Sequence, residues 1–120
     1  MTTRELVLGY IRAIETNAPD ATIPFLHDDV LLVEHPNKIN PTGTRADRAA
    51  ILAAAQRGSA AMAAQRYEVR QIIVEGARAA VQMTWTGTLR DGRQMVAEIC
   101  TIIEVRDGKI WRQEQYDAFA

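Results

Sequence analysis

Four stretches in the second half of the chain decide its architecture: YEVRQIIV (Tyr67–Val74), AAVQMTWTGTL (Ala79–Leu89), MVAEICTIIEV (Met95–Val105) and IWRQEQYDAF (Ile110–Phe119). All are rich in β-branched and aromatic residues, which fit a pleated, half-buried surface. Between them lie Glu75-Gly76, Arg90-Asp91-Gly92 and Arg106-Asp107-Gly108, separators with the composition of hairpin turns. Four sequential strands joined by tight turns make an antiparallel, strongly curved sheet.

Upstream the period changes. Leu6, Val7, Tyr10, Ile11 and Ile14 recur at helical spacing over Thr3–Glu15, with Thr2 or Thr3 as cap. Asn17–Pro19 interrupts that helix, and Asp20 opens a second short helical piece whose Phe25-Leu26 is expected to pack on the first. Val30–His35 reads as a short early strand stopped by Pro36, which has no N–H to donate. A turn-rich loop, Pro36–Gly43, leads to a capping-box-like Thr44…Asp47 and an Ala-rich helix for which Gly58 is the natural stop. Helices must then cover an apolar face of the sheet, with room for a cavity between.

Composition narrows the function classes. At 120 residues, 48% of them hydrophobic, the chain suits one domain spanning 1–120. Fourteen Lys and Arg nearly balance fifteen Asp and Glu, so no field of one sign collects nucleic acid or an anionic membrane. The single cysteine, Cys100, excludes an intrachain disulfide and a Cys-based zinc site and fits a reducing cytoplasm. The N-terminal residues lack an export signal, and no window has the roughly 18 apolar residues of a membrane span. His27-Asp28-Asp29 does not converge on one ion, so no metal is assigned, and neither a phosphate loop nor a nucleophile elbow is present.

Several strings fall in an order that resembles the NTF2-like superfamily, in particular its SnoaL-like and ketosteroid-isomerase-like branch. They are Leu26–Val30 leading into Glu34-His35-Pro36-Asn37, Pro41-Thr42-Gly43 before a helix, Trp85-Thr86-Gly87-Thr88, and Asp107–Ile110 leading to Tyr116–Phe119. The resemblance implies a cone-shaped α+β fold, a curved sheet wrapped round the N-terminal helices, an apolar pocket, and a homodimer through the outer sheet face. Ala80, Val96, Cys100 and Ile102 on that second face agree with the last point. The fold hosts isomerases, cyclases, hydrolases, dehydratases and non-enzymatic binders, so it does not fix one activity.

Set residue by residue on the ketosteroid-isomerase pattern, Tyr10 takes the place of the oxyanion-binding tyrosine. His35 stands immediately before Pro36, where that pattern has a carboxylate base, and Thr101 stands for the late-strand acid. On the SnoaL-type cyclase pattern, Asp117 near the end of the last strand becomes the acid/base. Strand alternation places Trp111, Gln113, Gln115, Asp117 and Phe119 on one face, while Glu34 has the opposite parity to His35. Arg112 has the wrong parity to bridge carboxylates, against an epoxide-hydrolase reading. The resulting expectation is a cofactor-independent acid/base enzyme acting on a small, largely apolar cyclic or oxygenated molecule. His35 and Asp117 handle protons, Tyr10 and Thr101 orient an oxygen, and Trp85, Met83, Ile103 and Trp111 form walls. The bland alternatives are a solvated His35, an exposed or ion-paired Asp117, core packing by Tyr10 and Trp85, and a pocket or dimer module without chemistry.

Overall fold

The computed structural model describes all residues, Met1–Ala120. Helix α1 spans Thr3–Glu15 and starts in a capping box: Thr2 Oγ1 accepts from the Glu5 amide at 3.1 Å, and Glu5 Oε1 accepts from the Thr2 amide at 3.0 Å. Its stripe of Leu6, Val7, Tyr10 and Ile11 is buried. Asn17, at φ 59°, reverses the chain into a 3-10 segment, Pro19–Phe25. The Phe25 ring returns to α1 at Gly9, where a Cβ would stand 3.0 Å from it.

Strand β1 is Leu26–Glu34, longer at its start than alternation alone shows, and it is followed by a short β2, Thr44–Ala46. Thr44 therefore belongs to a strand, opposite Glu34, and Asp47 caps helix α2 (Arg48–Ala61) by accepting from the Ala50 amide at 2.9 Å. The helix passes through Gly58 and runs directly into β3, Met62–Glu75. Strands β4 (Arg78–Leu89), β5 (Gln94–Arg106) and β6 (Lys109–Phe119) follow as successive hairpins. Gly76, Gly92 and Gly108 hold positive φ at the turns, as the separators require.

The sheet order is β2-β1-β6-β5-β4-β3. Every pairing is antiparallel except β1 with β6, which is parallel. The early strand satisfies its backbone on the last one, leaving a mixed, open sheet that curls over α1. Register fixes the concave face in rows: Val74–Ala79–Ile103–Gln113–Leu32, then Ile72–Val81–Thr101–Gln115–Glu34, then Val69–Met83–Ile99–Asp117, then Tyr67–Trp85–Ala97–Phe119. Ile103, Val81, Ile110, Val7 and Ile11 are at most 1% exposed and form the core between this face and α1. No helix is long and apolar enough to cross a membrane.

Candidate functional site

Above the core, α1, the 3-10 segment, α2 and the concave face of β1, β3 and β6 line a half-open cavity of about 250 Å³. Its helical wall is apolar, with Ile14, Ile51, Ala54 and Ala55. Its polar groups are Tyr10, Tyr67, Gln113 and Gln115 toward the sheet, Thr22 on the 3-10 segment, and Asn17 and Gln65 at one end. Asn17 and Gln65 are already engaged: Asn17 Nδ2 donates to Met62 O, Gln65 Nε2 donates to Asn17 Oδ1, and Trp85 Nε1 donates to Gln65 Oε1.

A directed chain of hydrogen bonds runs along the sheet side. Tyr10 Oη donates to Gln113 Oε1 at 3.1 Å, Gln113 Nε2 donates to Gln115 Oε1 at 3.2 Å, and Gln115 Nε2 donates to both Asp117 oxygens at 3.0 and 3.2 Å. Every donor points toward the carboxylate, so each amide is polarised by the next. Thr101 sits beneath, fully buried, accepting a second bond from Gln113 Nε2 at 3.1 Å. Asp117 is half-buried beyond Gln115, outside the residues that line the cavity. Burial raises its pKa, the bond from Gln115 opposes this, and the Glu34 carboxylate on the neighbouring strand adds to the rise. Tyr10 is pushed up to about 12 by burial, and Tyr67 is raised by burial, reinforced by Tyr10, Asp117 and Glu15.

Tyr67 escapes a reading of the sequence alone because its partners are set by register, opposite Trp85. Its backbone bonds to Arg12 and Glu15, whereas its hydroxyl is free in the cavity. Tyr10, by contrast, reaches the cavity with its hydroxyl proton committed to Gln113.

His35 lies elsewhere. Leu32 and Glu34 share the concave face with Gln113 and Gln115, so His35 follows Leu31 and Val33 onto the convex face. There its Nε2 meets Glu114 Oε2 at 2.6 Å and its ring stacks on Tyr116, centroids 4.3 Å apart. The bond lowers the pKa of Glu114. His35 and Asp117 thus occupy opposite faces and form no relay. The inward carboxylate at this strand end is Glu34, held by Asn37 Nδ2 at 3.0 Å and Asn40 Nδ2 at 3.2 Å.

The expected walls divide similarly. Met83 and Ile103 are core residues outside the lining, and Trp85 stands edge-on to Phe119 with its indole N–H on Gln65. Trp111 is turned out by a bulge: Glu104 pairs with Arg112 and Val105 with Ile110, leaving Trp111 as the extra residue. Ile110 takes the inward place, fully buried, and Trp111 is sandwiched by the guanidinium groups of Arg106 and Arg112 at 3.5 and 3.8 Å from its ring. Arg112 Nη1 donates to Asp29 O and Trp111 O. No three His, Cys, Asp or Glu side chains gather as a metal-binding group.

Solved structures share this fold across nearly the whole chain. IdmH of Streptomyces antibioticus, for which a polyketide-cyclase activity has been put forward, aligns at 19% identity and TM-score 0.79, covering 98% of this chain and 92% of that one. An LEH-like epoxide hydrolase of M. tuberculosis aligns at 18% identity and TM-score 0.77, covering 98% and 82%. A Catenulispora acidiphila protein with a ketosteroid isomerase-like fold, in complex with trimethylamine, aligns at 19% identity and TM-score 0.79, covering 96% and 86%. At these identities the likeness is one of fold. The search of curated proteins found no match. The SnoaL-like domain profile matches residues 7–113, from the buried face of α1 to the cavity glutamine Gln113, and the chain belongs to the SnoaL-like family.

Proposed function

We propose that this protein is a cofactor-independent acid/base enzyme of the isomerase or cyclase kind, acting on a small, largely apolar molecule that carries a carbonyl. The observation that carries the reading is the directed chain from the cavity to Asp117, a half-buried carboxylate fixed through both oxygens by Gln115. A carboxylate whose pKa is raised is a stronger base toward a carbon-bound proton and stays protonated closer to neutral pH, so it can hold that proton until it is returned. In this reading Asp117 takes a proton from the carbon next to the substrate carbonyl. Negative charge then develops on the carbonyl oxygen, and the free hydroxyl of Tyr67 donates to it. Return of the proton to another carbon completes an isomerisation; attack of the enolate carbon on a second carbonyl of the same molecule, with the proton on Asp117 passing to the alkoxide that forms there, completes a ring closure to a hydroxy ketone.

The volume sets the substrate size. About 250 Å³ lies below the roughly 300–1,000 Å³ of sites for drug-sized ligands, which favours a compact one- or two-ring molecule. The apolar helical wall excludes water and strengthens the few polar contacts. Deuterium incorporation into 2-tetralone in D2O tests the reading, because exchange next to its carbonyl needs only the proton-transfer step. Catalysed exchange that Asp117→Asn abolishes supports it; exchange no faster than buffer alone removes it.

A second reading, a ligand-binding or dimerisation module without chemistry, draws on the position of Asp117 outside the cavity lining. Such a module would bind 2-tetralone without exchanging its protons. Either way we propose a homodimer through the convex face, where Ile73 is 58% exposed and Tyr116, paired with the exposed Cys100, is 47% exposed.

A further inference from the structure

The convex face carries a recess of its own, a half-open groove of about 410 Å³ whose apolar lining is Leu31, Val33 and Ile102. Three arginines line it as well, one each from β2, β4 and β6: Arg45, Arg78 and Arg112. None of them belongs to any of the chain's five salt bridges. Register brings them together. Arg45 stands opposite Val33, and Arg78, Glu104 and Arg112 form one row across β4, β5 and β6 that ends at Leu31. One carboxylate of the groove, Glu104, therefore lies between two arginines in that row, and the other, Glu114, is bonded to His35 at 2.6 Å.

Arg112 is held in place before any ligand arrives. Its guanidinium lies 3.8 Å from the centre of the Trp111 ring, and its Nη1 donates to Asp29 O at 2.8 Å and to Trp111 O at 2.9 Å. The bulge that turns Trp111 outward thus supplies the surface on which Arg112 rests. Nη1 makes all the hydrogen bonds of this side chain within the protein, so Nε and Nη2 keep their protons for a ligand. Those two nitrogens form the edge of a guanidinium that grips a carboxylate through two parallel bonds. Ordering a free arginine on binding costs rotamer entropy; here the stack and the two carbonyls have already imposed that order.

We propose that this groove is a second ligand site, which takes a small carboxylic acid with an apolar body: the carboxylate sits on Arg112 in the field of Arg45 and Arg78, and the body lies on Leu31, Val33 and Ile102. The volume falls within the roughly 300–1,000 Å³ of small-molecule sites. Three arginines against two glutamates leave one positive charge, which matches a monoanion, and a second negative group on the ligand would meet Glu104 or Glu114. The groove lies on the opposite side of the sheet from the cavity, so the inference does not rest on the acid/base reading. Ile73 and Tyr116, the exposed residues offered for the dimer contact, are outside its lining.

The experiment is an NMR titration of the isotopically labelled full chain with 4-phenylbutyrate, its neutral amide, and phenethylmalonate, the same acid with a second carboxylate on its α-carbon. 4-Phenylbutyrate should shift the backbone amides of Val33, Arg45, Ile102 and Arg112. It should bind about tenfold tighter than the amide, the lower end for charge-assisted hydrogen bonds, and phenethylmalonate should bind no tighter than the monoacid. Arg112→Gln should abolish the preference for the acid, and Arg112→Lys, which keeps the charge without the fork, should recover only about threefold of it. Arg112 also holds Asp29 O, so Arg45→Gln, at an exposed position, is the second variant: it should weaken 4-phenylbutyrate about threefold with an unchanged urea midpoint. Arg66→Gln, on the same face but outside the groove, should leave binding as it is. Equal affinity for acid and amide, a preference that survives in Arg112→Gln or returns fully in Arg112→Lys, or tighter binding of phenethylmalonate overturns the proposal. So does an equal loss in Arg66→Gln and Arg45→Gln, or a set of shifts confined to cavity residues such as Ile14 and Tyr67.

Discussion

Gln115 Nε2 donates to both carboxylate oxygens of Asp117, at 3.0 and 3.2 Å, and so fixes the plane of the one acid that ends the cavity's hydrogen-bond chain. A base held in one orientation needs no reorganisation when the substrate arrives. Asp117→Asn should therefore lower 2-tetralone exchange by about 100-fold, within the range for loss of a general base. His35→Ala, on the opposite face against Glu114, should change it less than about twofold, the scatter expected of a surface substitution remote from the chemistry. A large loss in His35→Ala would mean that the convex face takes part.

The same raised pKa has a stability consequence. A carboxyl whose folded pKa exceeds its unfolded value binds its proton more tightly when folded, so stability falls as pH rises through the interval between the two and is then level. Asp117→Asn removes that penalty. It should be slightly more stable than the wild type at pH 7, and the gap should close below about pH 3.9, the ordinary aspartate value. Paired urea melts at pH 7 and pH 3.5 measure this; the gain is small because Asp117 is only half-buried. A gap that widens in acid would mean that burial does not dominate at this carboxyl.

The sheet was legible because the chain alternates cleanly between turns: Gly76, Gly92 and Gly108 mark the hairpins, and Gln113, Gln115 and Asp117 keep one parity to the end of β6. Parity failed where the backbone breaks step. Trp111 is the extra residue of a bulge, and no local pattern announces a bulge whose partner strand lies in the preceding hairpin. His35 was misplaced for a different reason. Its position before Pro36 matched a known pattern, yet the face it occupies is set by the parallel pairing of β1 with β6, a contact between residues far apart in sequence. Glu34, one residue earlier, takes the inward place. Tyr67 was invisible to periodicity because its significance lies in a hydroxyl that finds no protein partner, which only packing decides.

Tyr10→Phe should separate structural from catalytic use of that hydroxyl. Its proton is committed to Gln113, and removing it leaves a buried amide oxygen without its donor at a cost of about 1–3 kcal/mol. Urea denaturation should register that loss, while exchange falls far less than in Tyr67→Phe, whose hydroxyl is free. Equal losses of exchange in the two variants would place Tyr10 beside the substrate oxygen.

The convex face makes its own prediction. Ile102 is half-buried at the centre of a row that continues through Ala80 to Ile73. If that face joins two copies, light scattering at micromolar concentration should give twice the 13.4 kDa chain mass. Ile102→Arg would then restore the monomer, because two like charges would face each other across a symmetric contact. A monomeric wild type removes the dimer.

Glu34 is the neighbour whose effect on Asp117 can be isolated. Its carboxylate raises the Asp117 pKa through charge, without a hydrogen bond between them, while its Oε2 accepts from both Asn37 and Asn40. Glu34→Gln removes the charge and keeps an acceptor for the two asparagines. Proton abstraction requires ionised Asp117, so the exchange rate should climb with pH through the Asp117 pKa and then level. In Glu34→Gln that climb should move to lower pH, though only part of the way to the ordinary value, because burial is the larger cause and is untouched. The plateau should drop modestly as well, since a carboxylate of lower pKa is a weaker base. Glu34→Asp, which keeps the charge, should leave the climb near its wild-type position. A profile that does not move in Glu34→Gln would show that the two carboxylates do not sense each other, and the base strength of Asp117 would then rest on burial alone.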